Sequence, residues 1–217
     1  ISSRKRNEEA LRESEERYRR IVETASEGIW VLDSTGNTSY ANAQMAELLG
    51  CNSAEELAQH TLYDFVFEQD WPRISEIRCY LACHPRAAFD FRYRRLDGTA
   101  FWAHVSTTSI NDEQGALVGA LSMFTDITER KRAETQTQLL AELGELMRYL
   151  NDPDALLAAV ARTVGEYLHV NRCLFSEIDV EQDQELIYPD YHLDVPALAG
   201  THKLSEYSLE MLVEVMA

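Results

Sequence analysis

The chain has 217 residues, 45% of them apolar and 26% charged, enough to build one or two packed domains around a real core. Its net charge is −17, and from Asn151 to Ala217 three Lys or Arg stand against thirteen Asp or Glu, a balance that repels a phosphate backbone and excludes nucleic acid as a partner. The longest unbroken apolar stretch, Ala155 to Ala161, is too short to cross a bilayer, and Ile1 to Arg6 is basic without the apolar run of a secretory signal, so a cytoplasmic location with no membrane segment is expected.

From Asn7 to Ala25 the chain lacks Pro and Gly and places Leu11, Tyr18, Ile21, Val22 and Ala25 near one face, which predicts an amphipathic helix in the leading segment 1–25. After Gly28 the texture changes to a hairpin: Ile29 to Leu32, a turn through Asp33 to Asn37, then Thr38 to Tyr40. Asn42 to Leu81 reads as several short helices, with Asn52 or Ser53 capping one and Asp70 capping another that has Pro72 in its first turn. Phe89, Phe91 and Tyr93 then alternate with Asp90, Arg92 and Arg94, the turn Asp97-Gly98 leads into Ala100 to Ile110, and Asn111 to Gly115 feeds Leu117 to Thr125. The order β-β-α-α-α-β-β-β predicts an α+β fold, a five-stranded antiparallel sheet with helices over one face. On the opposite face Trp102 alternates with His104 and Ser106, and cover for this aromatic by the leading helix or a partner subunit is expected.

Asp126 is placed to cap the next helix, with Glu129 answering it from the third helical position. Leu139, Leu143, Leu146 and Leu150 follow the four-three-four spacing of a short coiled coil within a linker helix, 129–150, which Gly144 weakens. Asn151-Asp152-Pro153 ends that helix and starts another, whose Leu156, Leu157, Val160, Val164 and Leu168 suit a buried face. Arg172 to Val180 and Glu185 to Tyr191 read as strands, and Leu209, Leu212, Val213 and Met216 fall in a helix after Ser205.

Several of these segments, in this order, resemble a PAS domain. Glu15-Glu16-Arg17-Tyr18-Arg19-Arg20-Ile21-Val22 looks like the leading helix of that family, and Gly28 to Asn42 like its first hairpin. Arg92-Tyr93-Arg94-Arg95-Leu96-Asp97-Gly98 followed by Trp102 resembles its central hairpin, and Asp126-Ile127-Thr128-Glu129-Arg130-Lys131 its closing motif. The resemblance runs from Glu8 to Arg132, with the domain body at 26–128. Ile1-Ser2-Ser3-Arg4-Lys5-Arg6 is similar to a variant of the closing motif, so an upstream PAS module is expected. Residues 151–217 resemble the opening half of a GAF domain, Ala155 to Leu168 as its first helix and Asn171 to Phe175 as its first strand, which implies a partial α/β module.

The resemblance implies a sensory module that relays a stimulus through the linker helix to the GAF-like part and an output domain, as in a sensor histidine kinase. A non-sensing dimerisation and spacer module is the alternative. Asp126, Ile127, Thr128, Glu129 and Arg130 are the expected relay corner, and a homodimer through the leading and linker helices is expected. Such modules often hold a small-molecule ligand between insert and sheet, and Tyr40, Met45, Phe65, Trp71, Ile77, Phe89, Phe91 and Met123 are the candidate lining. The same residues would equally fill a solid core.

The sequence names no cofactor, and haem and flavin are both disfavoured. The insert's long helix, about Trp71 to Cys83, contains no histidine; His84 falls past its end and His60 in an earlier loop, while Cys51-Asn52 does not reproduce the flavin-adduct motif of the light-sensing subfamily. The four cysteines, Cys51, Cys79, Cys83 and Cys173, lack the spacing of a disulfide framework. Cys79, Cys83 and His84 have no second ligand group at metal-site spacing, so helix-packing thiols and no metal are expected. No phosphate-cradling loop, paired catalytic carboxylates, nucleophile elbow or phospho-acceptor histidine box occurs, so no catalytic activity is expected of this chain.

Overall fold

In the computed structural model, which describes residues 2–206, three tight turns set the register of a sheet. The Asp33 carboxylate accepts hydrogen bonds from the Thr35 and Asn37 N–H groups at 2.8 and 2.9 Å, and the Asp112 carboxylate repeats the arrangement with Gln114 and Ala116 at 3.0 and 2.8 Å. In the turn between them Asp97 accepts the Thr99 N–H at 2.8 Å. Each turn carries a glycine at positive φ (Gly36, Gly98 and Gly115), where a Cβ would be strained.

The strands joined are β1 (Gly28–Asp33) to β2 (Thr38–Ala41), and β3 (Arg86–Arg94) to β4 (Ala100–Asn111) to β5 (Leu117–Asp126). All pairs are antiparallel and the spatial order is β2-β1-β5-β4-β3, so the last strand lies at the centre. Alternation sends Trp30, Leu32, Phe91, Tyr93, Phe101, Val105 and Phe124 to one face, where they are buried. That face is covered by α2 (Ala43–Leu49), α3 (Ala54–Leu57) and α4 (Trp71–Cys83), which add Met45, Leu49, Leu57 and Ile74, while Phe65 meets Trp30 edge-on at 5.8 Å. Each such side chain contributes about 1.5–3 kcal/mol of burial. Gly28 makes the approach of α2 possible, since a Cβ there would stand 2.7 Å from Met45 Sδ.

A buried polar residue ties these layers together. Asn42 Oδ1 accepts the N–H groups of Ile29 at 2.8 Å and Met45 at 2.9 Å, capping α2, and its Nδ2 donates to the carbonyls of Val22 and Glu27, both at 3.0 Å. One side chain thereby joins β1, α2 and the end of α1 (Ser2–Glu23). Of the two candidates, Asn52 and Ser53, it is Ser53 that caps α3, through the Glu56 N–H. Asp70 does not cap α4: its backbone is already helical, it makes no capping bond, and its carboxylate stands 3.8 Å from Arg92 instead.

The described chain falls into two compact units, Ile1–Lys131 and Arg132–Ala217. After α5 (Thr128–Tyr149), α6 (Pro153–Leu168) begins at Asp152, whose carboxylate accepts the Ala155 N–H at 2.9 Å. The two strands expected beyond it are each cut in two: β6 (Arg172–Cys173) and β7 (Ser176–Asp179), then β8 (Gln184–Ile187) and β9 (Tyr191–His192). Pro189 has no N–H to donate, so the ladder is interrupted between β8 and β9. β6 pairs with β9, while β10 (Gly200–Lys203), which the sequence did not signal, joins β8 and β7. In this unit α6 lies close on β9, because Gly165 leaves room for the Tyr191 ring that a Cβ would meet at 2.2 Å. The helix expected after Ser205 lies outside the described residues. Among those residues no helix is long and apolar enough to cross a membrane.

Candidate functional site at the strand-to-helix corner

A single residue separates the central strand β5 from α5. Ile127 is buried; its N–H donates to the Trp102 carbonyl at 2.8 Å and its own carbonyl accepts the Lys131 N–H at 2.9 Å. Thr128 Oγ1 accepts the Trp102 N–H at 3.0 Å, adding a second bond from the sheet to the helix. The Asp126 carboxylate accepts the Thr128 N–H at 2.8 Å and an Arg95 bond at 3.1 Å. Arg95 in turn donates to the Leu48 carbonyl and lies 4.3 Å above the Phe101 ring. Burial pushes the Asp126 carboxyl upward, but the bonds from Thr128 and Arg95 outweigh it and hold it below its ordinary value.

The expected capping box is corrected in one respect. The β4–β5 ladder runs on to pair Ala103 with Asp126, so the strand ends one residue later than expected. Ile127 takes the capping position, Asp126 precedes it, and Glu129 is the second helical residue rather than the third.

The outer face of the sheet adds a charged cluster that sequence reasoning missed. Asp90 on β3 is directly paired with His104 on β4, and its carboxylate lies 2.8 Å from His104 Nδ1. The same carboxylate meets Lys131 Nζ at 2.8 Å and Arg130 Nη2 at 3.4 Å, both from the first turn of α5. The Lys131 bond foremost, then that of His104, holds the Asp90 carboxyl down at about 2. Lys131 Nζ also lies 5.7 Å from the centre of the Trp102 ring, so α5 itself provides the contact expected from the leading helix or a partner. Of the expected relay residues, Asp126, Ile127, Thr128 and Arg130 therefore make the bonds between sheet and helix described above. The register would have revealed Asp90: counting back from the Asp97-Gly98 turn places it opposite His104.

Between the inner face and α4 lies a cavity of about 70 Å³. Its apolar wall includes Leu32, Ile74, Ile77, Leu81, Phe89 and Val105, and Tyr93, Thr107 and Ser122 also line it. Of the eight candidate lining residues only Ile77 and Phe89 belong to this wall. Met45, Phe65 and Phe91 are buried elsewhere in the core, while Tyr40, Trp71 and Met123 are exposed. Strand parity is the reason for two of these: Tyr40 pairs with Val31 and Met123 with Ile29, all pointing to the outer face, where the Tyr40 hydroxyl donates to Glu23 at 3.0 Å. Trp71 begins α4 and meets Tyr63 edge-on at 5.8 Å.

Cys79 and Cys83 are exposed rather than packed, because α4 turns Ile74 and Leu81 inward and leaves them on the opposite side. His84 stacks on Tyr80 at 4.0 Å, and His60 Nδ1 lies 3.8 Å from Asp64. Among the described residues no group of three or more His, Cys, Asp or Glu is placed to hold a metal ion.

Known proteins share this architecture. A family model described as the PAS fold matches residues 16–127, just over half of the chain. Sporulation kinase C of Bacillus subtilis (strain 168) is 25% identical over 166 residues, covering 76% of this chain and 38% of that protein. Signal transduction histidine-protein kinase AtoS of Escherichia coli (strain K12) is 28% identical over 144 residues, covering 64% of this chain and 23% of that protein. The chain thus spans well under half the length of either relative. A solved structure of the PAS domain of an HTR-like protein from Haloarcula marismortui is similar at 26% identity and a TM-score of 0.49, over 57% of this chain and 99% of that one. The matched region takes in the hairpin, the helical insert, the three-stranded meander and the corner at Ile127, and the chain belongs to the PAS family.

Proposed function

We propose that this chain is a signal relay of a sensor histidine kinase, in which movement of the PAS sheet sets the geometry of α5 and, through it, of a GAF-like module and an output domain. The observation that carries the reading is the corner without slack. The central strand passes into α5 through one buried residue, with both of its backbone groups bonded, and Asp90 anchors the first helical turn from the far side of the sheet. A displacement of β3 or β5 has no flexible segment in which to dissipate.

The packing of α6 on β9 at Gly165 and the small β10-β8-β7 sheet support a GAF-like second module. Tyr18 and Ile21 of α1 and Leu140 and Met147 of α5 are exposed apolar side chains, which supports a homodimer through both helices. The module acts in the cytoplasm, binds no nucleic acid and catalyses nothing itself.

The test is output control in the parent protein carrying Asp126→Ala, which loses the Thr128 and Arg95 bonds. Loss of a capping-type contact costs about 1 kcal/mol, small enough to leave the fold intact. Autophosphorylation should then no longer follow the stimulus, whereas unchanged control refutes the relay. Mass-resolved light scattering should find a dimer at tens of micromolar, and a strict monomer removes the two-subunit arrangement.

A further inference from the structure

Asp90 faces two permanent cations and one conditional one. Lys131 Nζ and Arg130 Nη2 reach its Oδ2 from α5 at 2.8 and 3.4 Å, while His104 Nδ1 lies 2.8 Å from its Oδ1 across the β3–β4 pair. Lysine and arginine keep their charge near neutrality, whereas imidazole is the side chain that ordinarily changes charge between about pH 5 and about pH 8. The Asp90 carboxyl, held at about 2, stays ionised throughout that interval and only accepts hydrogen bonds. His104 Nδ1 therefore keeps its hydrogen towards Asp90 in both charge states, and the titrating proton adds at Nε2. The His104 side chain is 43% exposed, so solvent supplies that proton and the bond to Asp90 need not break.

The other groups that face His104 are already engaged. Arg92, which follows Asp90 on the outer face of β3, is turned towards Asp70 at 3.8 Å and the Phe67 ring at 4.6 Å. From β5, Thr125 is paired with His104, and its hydroxyl donates to Glu27 at 2.8 Å. Along β4 the neighbours on the same face, Trp102 and Ser106, carry no charge. Asp90 is thus the carboxylate that His104, Lys131 and Arg130 all meet, and a charged imidazole brings to three the cations on one acid.

We propose that protonation of His104 loosens the first turn of α5: the charged imidazole draws on the carboxylate that anchors Lys131 and repels both Lys131 and Arg130, so the corner is held more firmly at about pH 8 than at about pH 5.5. This rests on the reading of the corner as a relay and adds that the hold of the sheet on the helix follows pH.

The test is amide hydrogen exchange in the whole chain, each rate divided by the intrinsic rate at the same pH. The Lys131 N–H, bonded to the Ile127 carbonyl at 2.9 Å, reports the first turn of α5. Its protection should fall about two- to fivefold between about pH 8 and about pH 5.5, the size of an exposed charge pair. His104→Gln keeps a neutral donor beside Asp90 and should give a flat profile, and His104→Lys, charged throughout, should give a flat profile at a lower level. A side chain with only a structural role would change the level of protection without changing its dependence on pH. Equal profiles in wild type and His104→Gln overturn the proposal. So does protection that rises on acidification, since the charged imidazole would then add a tether instead of competing for one. Exchange is read in this chain without an output domain, so either failure leaves the relay to be judged by Asp126→Ala.

Discussion

Replacing Asp90 by Asn keeps the shape of the side chain and removes the charge that anchors α5. The carboxylate holds Lys131 and His104 at 2.8 Å and Arg130 at 3.4 Å, and its side chain is 26% exposed. Charge-assisted bonds of this partly buried kind are worth about 1.5–3 kcal/mol, and exposed pairs about 0–1. The fall of the Asp90 carboxyl from 3.8 to about 2 corresponds to roughly 2.4 kcal/mol before solvent screening, which reduces it to about 1–2. Asp90→Asn should therefore destabilise the first unit by about 1–2 kcal/mol in urea unfolding at neutral pH.

The pH dependence has a defined sign. A carboxyl depressed in the folded state stabilises fully above its unfolded value, 3.8, and the contribution disappears as pH falls through the folded value, about 2. The gap between wild type and Asp90→Asn should close progressively as pH falls from about pH 5 towards about pH 2.5. Paired with Lys131→Met, the double-mutant cycle should give a coupling of about 1 kcal/mol. A gap that stays the same down to about pH 2.5, or a coupling below about 0.3 kcal/mol, refutes the anchoring role.

Asn42→Ala leaves the Ile29 and Met45 N–H groups and the Glu27 carbonyl without the Asn42 side chain as partner and should cost about 2–4 kcal/mol by denaturant unfolding, a large effect for a residue far from the cavity. Ile127→Ala should cost about 2–3 kcal/mol, and amide exchange of Thr128 to Lys131 should accelerate as the corner loosens. Ser53→Ala should lose about 1 kcal/mol while Asp70→Ala stays within about 0.5, because only Ser53 makes a capping bond; equal losses would contradict that assignment. Gly165→Ala sets a Cβ against Tyr191 and should lower the melting of the second unit alone, so a single shared transition would show that the units unfold together.

Much of the first unit was legible because its signals are local. The alternation at Phe89 to Arg94, the Asp and Gly turns and the cap at Ser53 depend on residues close in the chain, so spacing alone reveals them. The lining of the cavity was not legible in the same way. Tyr40 and Met123 are as aromatic or soft as Phe89, and only the strand pairing, with Val31 and Ile29 as their partners, sends them outward. Asp70 and Asn42 show the reverse case: one has a capping residue's identity but is drawn to Arg92, and the other caps α2 while also binding segments up to 20 residues away.

Composition, turn chemistry and periodicity determined the strand and helix order, the antiparallel meander and the place where β5 passes into α5, because each rests on backbone preferences over a few residues. The tertiary structure decided which strand lies at the centre, that Asp90 and Lys131 meet, and that Ile77 and Phe89 but not Tyr40 line the cavity. Those outcomes depend on pairing between segments tens of residues apart and on the volume left when side chains pack, quantities that no local pattern encodes.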